Sequence, residues 1–296
     1  MTRRRSPSKT RDTKHGTHAD RRLHTQYALC LRASHAPDAD IERALEIASR
    51  AGFSCVELDA PMLEAYLSGH PVVWLDLQLR QHNLYTLLID GLDRLPAAGA
   101  GGPEDLLVHR AHFLELCARL DALGGGTLVL HPGAGEQTQW PEVSARALRD
   151  YADLAAPFEV TLAFEFRAKS QAPDLQAALD LVQRAARSNL RLAISAREWC
   201  ASGADLRPLE ALEPGRLALV RLDAAPDPAP SPAGEAPDPA QGLYARLAAA
   251  GFRGPYCVAL PAPSPEMPDA PGERARAARQ AALDVLAPLY QAQPAP

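Results

Sequence analysis

The chain has 296 residues, with 31 Lys and Arg against 36 Asp and Glu and 47% apolar letters, enough for one large barrel or two small domains around a real core. No run approaches the ~18 uninterrupted apolar residues of a membrane span, and the first residues lack the hydrophobic centre of a secretory signal. Five widely spaced cysteines (Cys30, Cys55, Cys117, Cys200, Cys257) with no C-x-x-C pair argue against a disulfide framework or a zinc knuckle, and fit a reducing cytoplasm.

The net charge of −5 hides an asymmetry. Residues 1–24 carry Arg3, Arg4, Arg5, Lys9, Arg11, Lys14, Arg21 and Arg22 against Asp12 and Asp20, a balance of +6 that leaves −11 on the rest. This leader is too polar to bury much surface, so it is expected to be disordered. An acidic body disfavours nucleic acid as a partner, because such proteins present a basic face.

From residue 25 onward a unit recurs: a short β-rich apolar run, a loop, then an amphipathic segment. The runs are Tyr27–Leu31, Ser54–Leu58, Tyr85–Ile89, Thr127–Leu130, Val160–Phe166, Leu190–Ile194, Leu217–Leu222 and Tyr256–Leu260. After the first run, Ile41, Ala44, Leu45 and Ala48 share one helical face. Asp38 or Asp40 can cap its start and Gly52 its end. Leu106, Arg110, Phe113, Cys117 and Leu120 trace a second stripe, closed by Gly124, Gly125 and Gly126. Leu175, Ala178, Leu179 and Val182 form another, and Ala278, Ala282, Val285 and Leu286 a last one. A Pro-rich stretch, 224–240, has the character of an extended loop after the seventh run, and 291–296 that of a frayed tail.

Runs apolar on both faces and alternating with helices imply parallel strands covered by helices. Eight such units over residues 25–290 predict a single-domain α/β fold, the closed (β/α)8 TIM barrel. An open doubly wound sheet would usually carry G-x-G-x-x-G, which is absent.

In such a barrel the chemistry lies at the C-terminal ends of the strands. That rule selects Arg32, Glu57, Asp59, Asp90, His131, Glu165, Arg167, Ser195, Arg221, Asp223 and Ala259. A charged side chain ending an apolar strand is costly unless it meets water, a partner or a ligand. Glu57 and Asp59 could equally close ion pairs with Arg32, and His131 could equally hydrogen-bond a carbonyl. Glu165, between apolar neighbours late in the fifth run, is the best functional candidate.

The segments from Asp40 to Asp59 (DIERALEIASRAGFSCVELD), GGTLVLHPG ending at Gly133, LAFEFR at Leu162–Arg167 and GFRGPYCVAL at Gly251–Leu260 carry a resemblance. Together they resemble the xylose isomerase-like TIM barrels, a family of sugar isomerases, epimerases, inosose dehydratases and endonuclease IV. The resemblance spans residues 26–288. It implies a divalent metal such as Mn or Mg held by Glu, Asp, His or Gln, and Glu at the ends of strands five to eight. Carried over, the first position is Glu165 and the second falls on Ser195, whose histidine partner becomes Glu198. The third falls on Arg221, or on Val220 one residue earlier, and the fourth on Ala259. Three of the four ligands are replaced, so no metal ligand is assigned, no cofactor is expected and a divalent ion is disfavoured. A guanidinium at position 221 could stand in electrostatically for the ion.

Two expectations follow. In one, the chain is a divergent, metal-independent isomerase, epimerase or related lyase for a small hydroxy-carbonyl or sugar-type substrate. Glu165, His131 and Glu198 are then the catalytic candidates, and Arg221, Asp223, Arg167, Glu57 and Arg32 the substrate-binding ones. In the other, the barrel is non-catalytic and binds a small molecule or a partner protein. DNA repair would need a His, Asp and Glu cluster for several metals, which the sequence lacks. The resemblance also implies that a homo-oligomer is possible.

Overall fold

The computed structural model describes residues 29–32, 40–84, 86–92, 103–133, 141–210, 212–222, 239–259 and 271–291. The basic leader, the Pro-rich stretch 224–238, the tail after 291, and Asp223 lie outside the described residues.

Eight parallel strands close into a barrel in chain order: β1 (Leu29–Arg32), β2 (Cys55–Asp59), β3 (Thr86–Leu92), β4 (Thr127–Leu130), β5 (Thr161–Glu165), β6 (Leu190–Ser195), β7 (Leu217–Leu222) and β8 (Tyr256–Ala259). β1 pairs with β8 through Cys30 and Cys257, which completes the ring. The expected single (β/α)8 domain is therefore present, with several strands shifted by one to three residues from the sequence expectation.

The helices are α1 (Ile41–Ala51), α2 (Ala60–Gly69), α3 (Val72–Gln81), α4 (Pro103–Ala122), α5 (Pro141–Ala155), α6 (Leu175–Ala185), α7 (Ala196–Ala201), α8 (Arg207–Glu210), α9 (Pro239–Ala249) and α10 (Pro271–Gln291). Their ends follow local chemistry. The Asp40 carboxylate, rather than Asp38, accepts the Glu42 N–H at 2.9 Å, and Gly52 at φ 83° returns its N–H to Ala48 and Ser49. Asp174 caps α6 through the Ala177 N–H at 2.8 Å. In α4 the stripe holds for Phe113, Cys117 and Leu120, whereas Leu106 is exposed. In α10, Ala282 and Leu286 are buried but Val285 is exposed. These two helices lean on the barrel with only part of the predicted face.

Strand side chains alternate between two cores. Leu31, Val56, Leu58, Ile89, Leu128, Leu130, Leu162, Phe164, Leu192, Ile194, Val220 and Leu222 point outward into the layer shared with the helices. Cys30, Cys55, Leu88, Val129, Ala163, Ala193, Leu219 and Cys257 form a separate cluster inside the barrel. The interior layer is small-residue rich because eight strands leave little room at the axis. Two residues further along each strand, on the same inward face, stand Arg32, Glu57, Asp90, His131, Glu165, Ser195, Arg221 and Ala259. The period of two thus lifts a polar ring directly above an apolar floor.

Candidate functional site

The ring is tied together by charge. Arg221 projects inward from β7, in register with Ser195 of β6 and Cys257 of β8, while Val220 is buried in the outer layer. Of the two residues that could take the third family position, the inward one is therefore Arg221. Its Nη1 donates to Glu165 Oε2 at 2.6 Å, and its Nη2 meets Glu57 and Asp90 Oδ2, the latter at 3.0 Å. One guanidinium from β7 is held by carboxylates from β2, β3 and β5.

Arg32 completes the network. Its Nη2 donates to Asp90 Oδ2 at 2.6 Å, and its Nε lies 3.7 Å from Glu57. Asp90 also binds His131, whose Nε2 is 2.6 Å from Oδ1. The other imidazole nitrogen, Nδ1, makes no hydrogen bond and lies 3.6 Å from Glu165 Oε1. With Nε2 engaged by Asp90, Nδ1 is the imidazole nitrogen that faces Glu165.

Burial decides the electrostatics. Glu57 and His131 are fully buried, and Glu165 and Arg221 nearly so. Burial pushes the Glu165 carboxyl up, and the charges of Arg221 and His131 only partly oppose it. Burial also acts on Asp90, but its hydrogen bond from His131 and the charges of Arg221, His131 and Arg32 outweigh it and hold the carboxyl well below the usual range. Desolvation opposes the charge on Arg221, yet Glu165, Glu57 and Asp90 more than compensate and keep the guanidinium firmly cationic.

A cavity of about 190 Å³ opens above the ring, lined by Arg32, Glu165, Arg167, Ser195, Arg197, Glu198 and Arg221. Glu57 and His131 are set behind this lining, and reach it through Arg221 and Glu165. Glu198 forms part of the wall, where its Oε2 accepts the Ala168 N–H at 3.0 Å. Asp59 is used elsewhere: it caps α2, accepting the Met62 N–H at 2.7 Å.

The positions that a metal would require can now be inspected. Glu165 bears one carboxylate oxygen already bonded to Arg221. The Ser195 hydroxyl accepts the Glu198 N–H at 3.2 Å as the cap of α7, and Ala259 offers only a methyl group. Among the described residues, no three His, Cys, Asp or Glu side chains are grouped to hold a metal ion.

Two site residues were undervalued by sequence reasoning. The strand-end rule marks Asp90 but cannot show that it joins His131, Arg32 and Arg221. Arg197 ends no strand; the signal for it is its place in the first turn of the helix that starts immediately after β6.

Residues 45–286 match the xylose isomerase-like TIM barrel family. The chain is 23% identical over 203 residues to an inosose isomerase of Bacillus velezensis, covering 66% of this chain and 71% of that protein. The crystal structure of IOLI protein with a binding zinc atom superimposes with a TM-score of 0.74 at 18% identity, covering 88% of this chain and 99% of that one. D-Psicose 3-epimerase with D-tagatose, from Clostridium cellulolyticum H10, gives a TM-score of 0.70 at 16% identity, covering 88% of this chain and 99% of that one. The family match extends over most of the chain: the chain belongs to the xylose isomerase-like TIM barrel family.

Proposed function

We propose that this chain is a sugar isomerase/epimerase-like barrel that moves a proton on a small hydroxy-carbonyl compound without a divalent metal. The observation that carries the reading is the Arg221 guanidinium, 2.6 Å from Glu165 and fixed among three carboxylates at the barrel axis. A donor set of one carboxylate, one capping hydroxyl, one guanidinium and one methyl does not fit a divalent ion, whose ligands are oxygen and imidazole lone pairs. No step is therefore routed through a metal.

The chemistry can be written with these side chains alone. Glu165, whose proton affinity is raised by burial, takes the proton from the carbon beside the substrate carbonyl. The C–H electron pair becomes the C=C bond of an enediolate, and the carbonyl oxygen takes the negative charge. As Glu165 becomes neutral, Arg221 loses one anionic partner and its field turns to the new oxyanion. Return of the proton to the neighbouring carbon, with the hydroxyl proton of the second oxygen passing to the first as the new carbonyl forms, isomerises the substrate; return to the opposite face of the original carbon epimerises it. The His131 imidazole beside Glu165 is the second group placed to exchange a proton with it, and Asp90 holds that ring in place.

A non-catalytic, ligand-binding barrel is the second reading. It is favoured by the saturation of Arg221, since a cation shared by Glu57, Asp90 and Glu165 is already well satisfied. Proton exchange separates the two. The purified protein is incubated in D2O with a panel of aldoses, ketoses and inososes, together with sugar acids and sugar phosphates, and carbon-bound hydrogen is followed by NMR. Exchange that is lost in Glu165→Gln supports catalysis; absence of exchange across the panel supports the binding protein. Stoichiometric Mn, Co or Zn in the purified protein would overturn the metal-free mechanism.

A further inference from the structure

Four guanidiniums line the cavity, from Arg32, Arg167, Arg197 and Arg221, against the two carboxylates of Glu165 and Glu198. They divide by depth. Arg32 and Arg221 are bound from below by Glu57, Asp90 and Glu165. Arg167 follows β5 half-buried at the wall, and the Arg197 side chain is 64% exposed at the mouth. The ion pair between Arg197 and Glu198 is long, 3.7 Å, and the other Glu198 oxygen is bound to the Ala168 N–H. The guanidiniums thus divide evenly, two bound into the buried floor and two at the wall and mouth beside Glu198. In a chain of net charge −5, four guanidiniums against two carboxylates in the lining run against the overall balance.

We propose that the ligand of this cavity carries an anionic group, carboxylate or phosphate, held at the rim by Arg167 and Arg197 while its hydroxy-carbonyl end lies against Glu165. This rests on the cavity being the ligand site argued above, and adds the substrate class. Guanidinium forks match the paired oxygens of both anions, which gives orientation as well as attraction. An anion at the rim also directs the opposite, polyhydroxylated end of the molecule down to the buried carboxylate.

Isothermal titration with D-glucuronate, D-glucose 6-phosphate, D-glucose and inorganic phosphate tests this, the first two separating carboxylate from phosphate. At least one charged sugar is expected to bind about tenfold or more tightly than glucose, with affinity falling as salt rises. Arg167→Gln/Arg197→Gln is expected to bring it to the level of glucose. The exposed Arg197→Gln alone, which leaves the fold undisturbed, is expected to weaken it several-fold. The proposal is overturned if neither charged sugar binds more tightly than glucose, if the double variant keeps the preference, or if inorganic phosphate binds as well as the charged sugars. Glu165→Gln distinguishes the two readings: it abolishes proton exchange but keeps the anion preference. Preference without exchange in the wild type refutes catalysis alone, and exchange without preference refutes the anion rim alone.

Discussion

Arg221 on β7 reaches across β6 to Glu165 on β5, and the 2.6 Å hydrogen bond between them lies inside the barrel on residues 56 apart in sequence. Both partners are nearly excluded from water. Removing one member of such a pair strands the other's charge, which is more costly than never having had the pair.

Arg221→Leu should therefore destabilise the protein by about 3–5 kcal/mol at neutral pH, because Glu57, Asp90 and Glu165 lose their common cation. Arg221→Lys should recover only part of this, since an ammonium cannot form the same fork. Urea unfolding measures both. An unchanged midpoint in Arg221→Leu would show that the network does not hold the fold.

Glu165 makes a pH-dependent contribution of definite sign. Burial raises its proton affinity in the folded state above that in the unfolded chain. Its contribution is then complete below the ordinary glutamate range of about 4.3 and is lost as pH rises through the raised value. Glu165→Gln should flatten the fall in unfolding free energy on the alkaline side of that range. Equal slopes in the two proteins would contradict the raised affinity.

Asp90 acts in the opposite direction. Its carboxyl is held low, so its contribution is present above the ordinary aspartate value of about 3.9 and disappears as pH falls below it. Asp90→Asn should remove that acid sensitivity and cost about 3 kcal/mol at neutral pH, since Arg32, Arg221 and His131 lose a shared acceptor. Nitrogen NMR of His131 adds a direct readout: the Nε2 signal should shift when its Asp90 partner is replaced.

Packing beneath the rim gives a prediction independent of charge. A methyl group added at Gly91 would overlap the Ala60 methyl at the start of α2, where β3 changes its register with β4. Gly91→Ala should cost about 1–3 kcal/mol by overpacking. Ala60→Gly in the same chain should restore most of that, as thermal unfolding would show.

The element pattern was legible from the chain because it depends on local spacing. Eight apolar runs separated by amphipathic segments require parallel strands covered by helices, and the barrel strands found here overlap each run. Between the second and third runs the recurring unit implies a helical segment, and the structure places two helices there, α2 and α3, where Val73, Trp74 and Leu77 of α3 are exposed and blur any single apolar face. Strand ends were also local: Glu57, Asp90, His131, Glu165 and Arg221 could be picked out as charged residues terminating apolar runs.

Of their partnerships, the pairing of Glu57 with Arg32 was among the alternatives the chain offered, whereas the others were not legible. Which inward residue takes the third family position depends on strand register, and Ser195 opposite Arg221 is fixed by pairing between β6 and β7. That Arg221 joins Glu57 across 164 residues, and that Asp90 rather than a carbonyl receives His131, follow only from barrel closure. Composition gave a small negative charge for the whole chain; folding gathers Glu57, Asp90 and Glu165 around the guanidiniums of Arg32 and Arg221 and leaves Arg167 and Arg197 at the wall and mouth of the cavity. Periodicity is a property of neighbours in sequence, so the chain alone determines the barrel. Ion pairing is a property of neighbours in space, so the tertiary structure alone decides what the barrel's charged centre is made of.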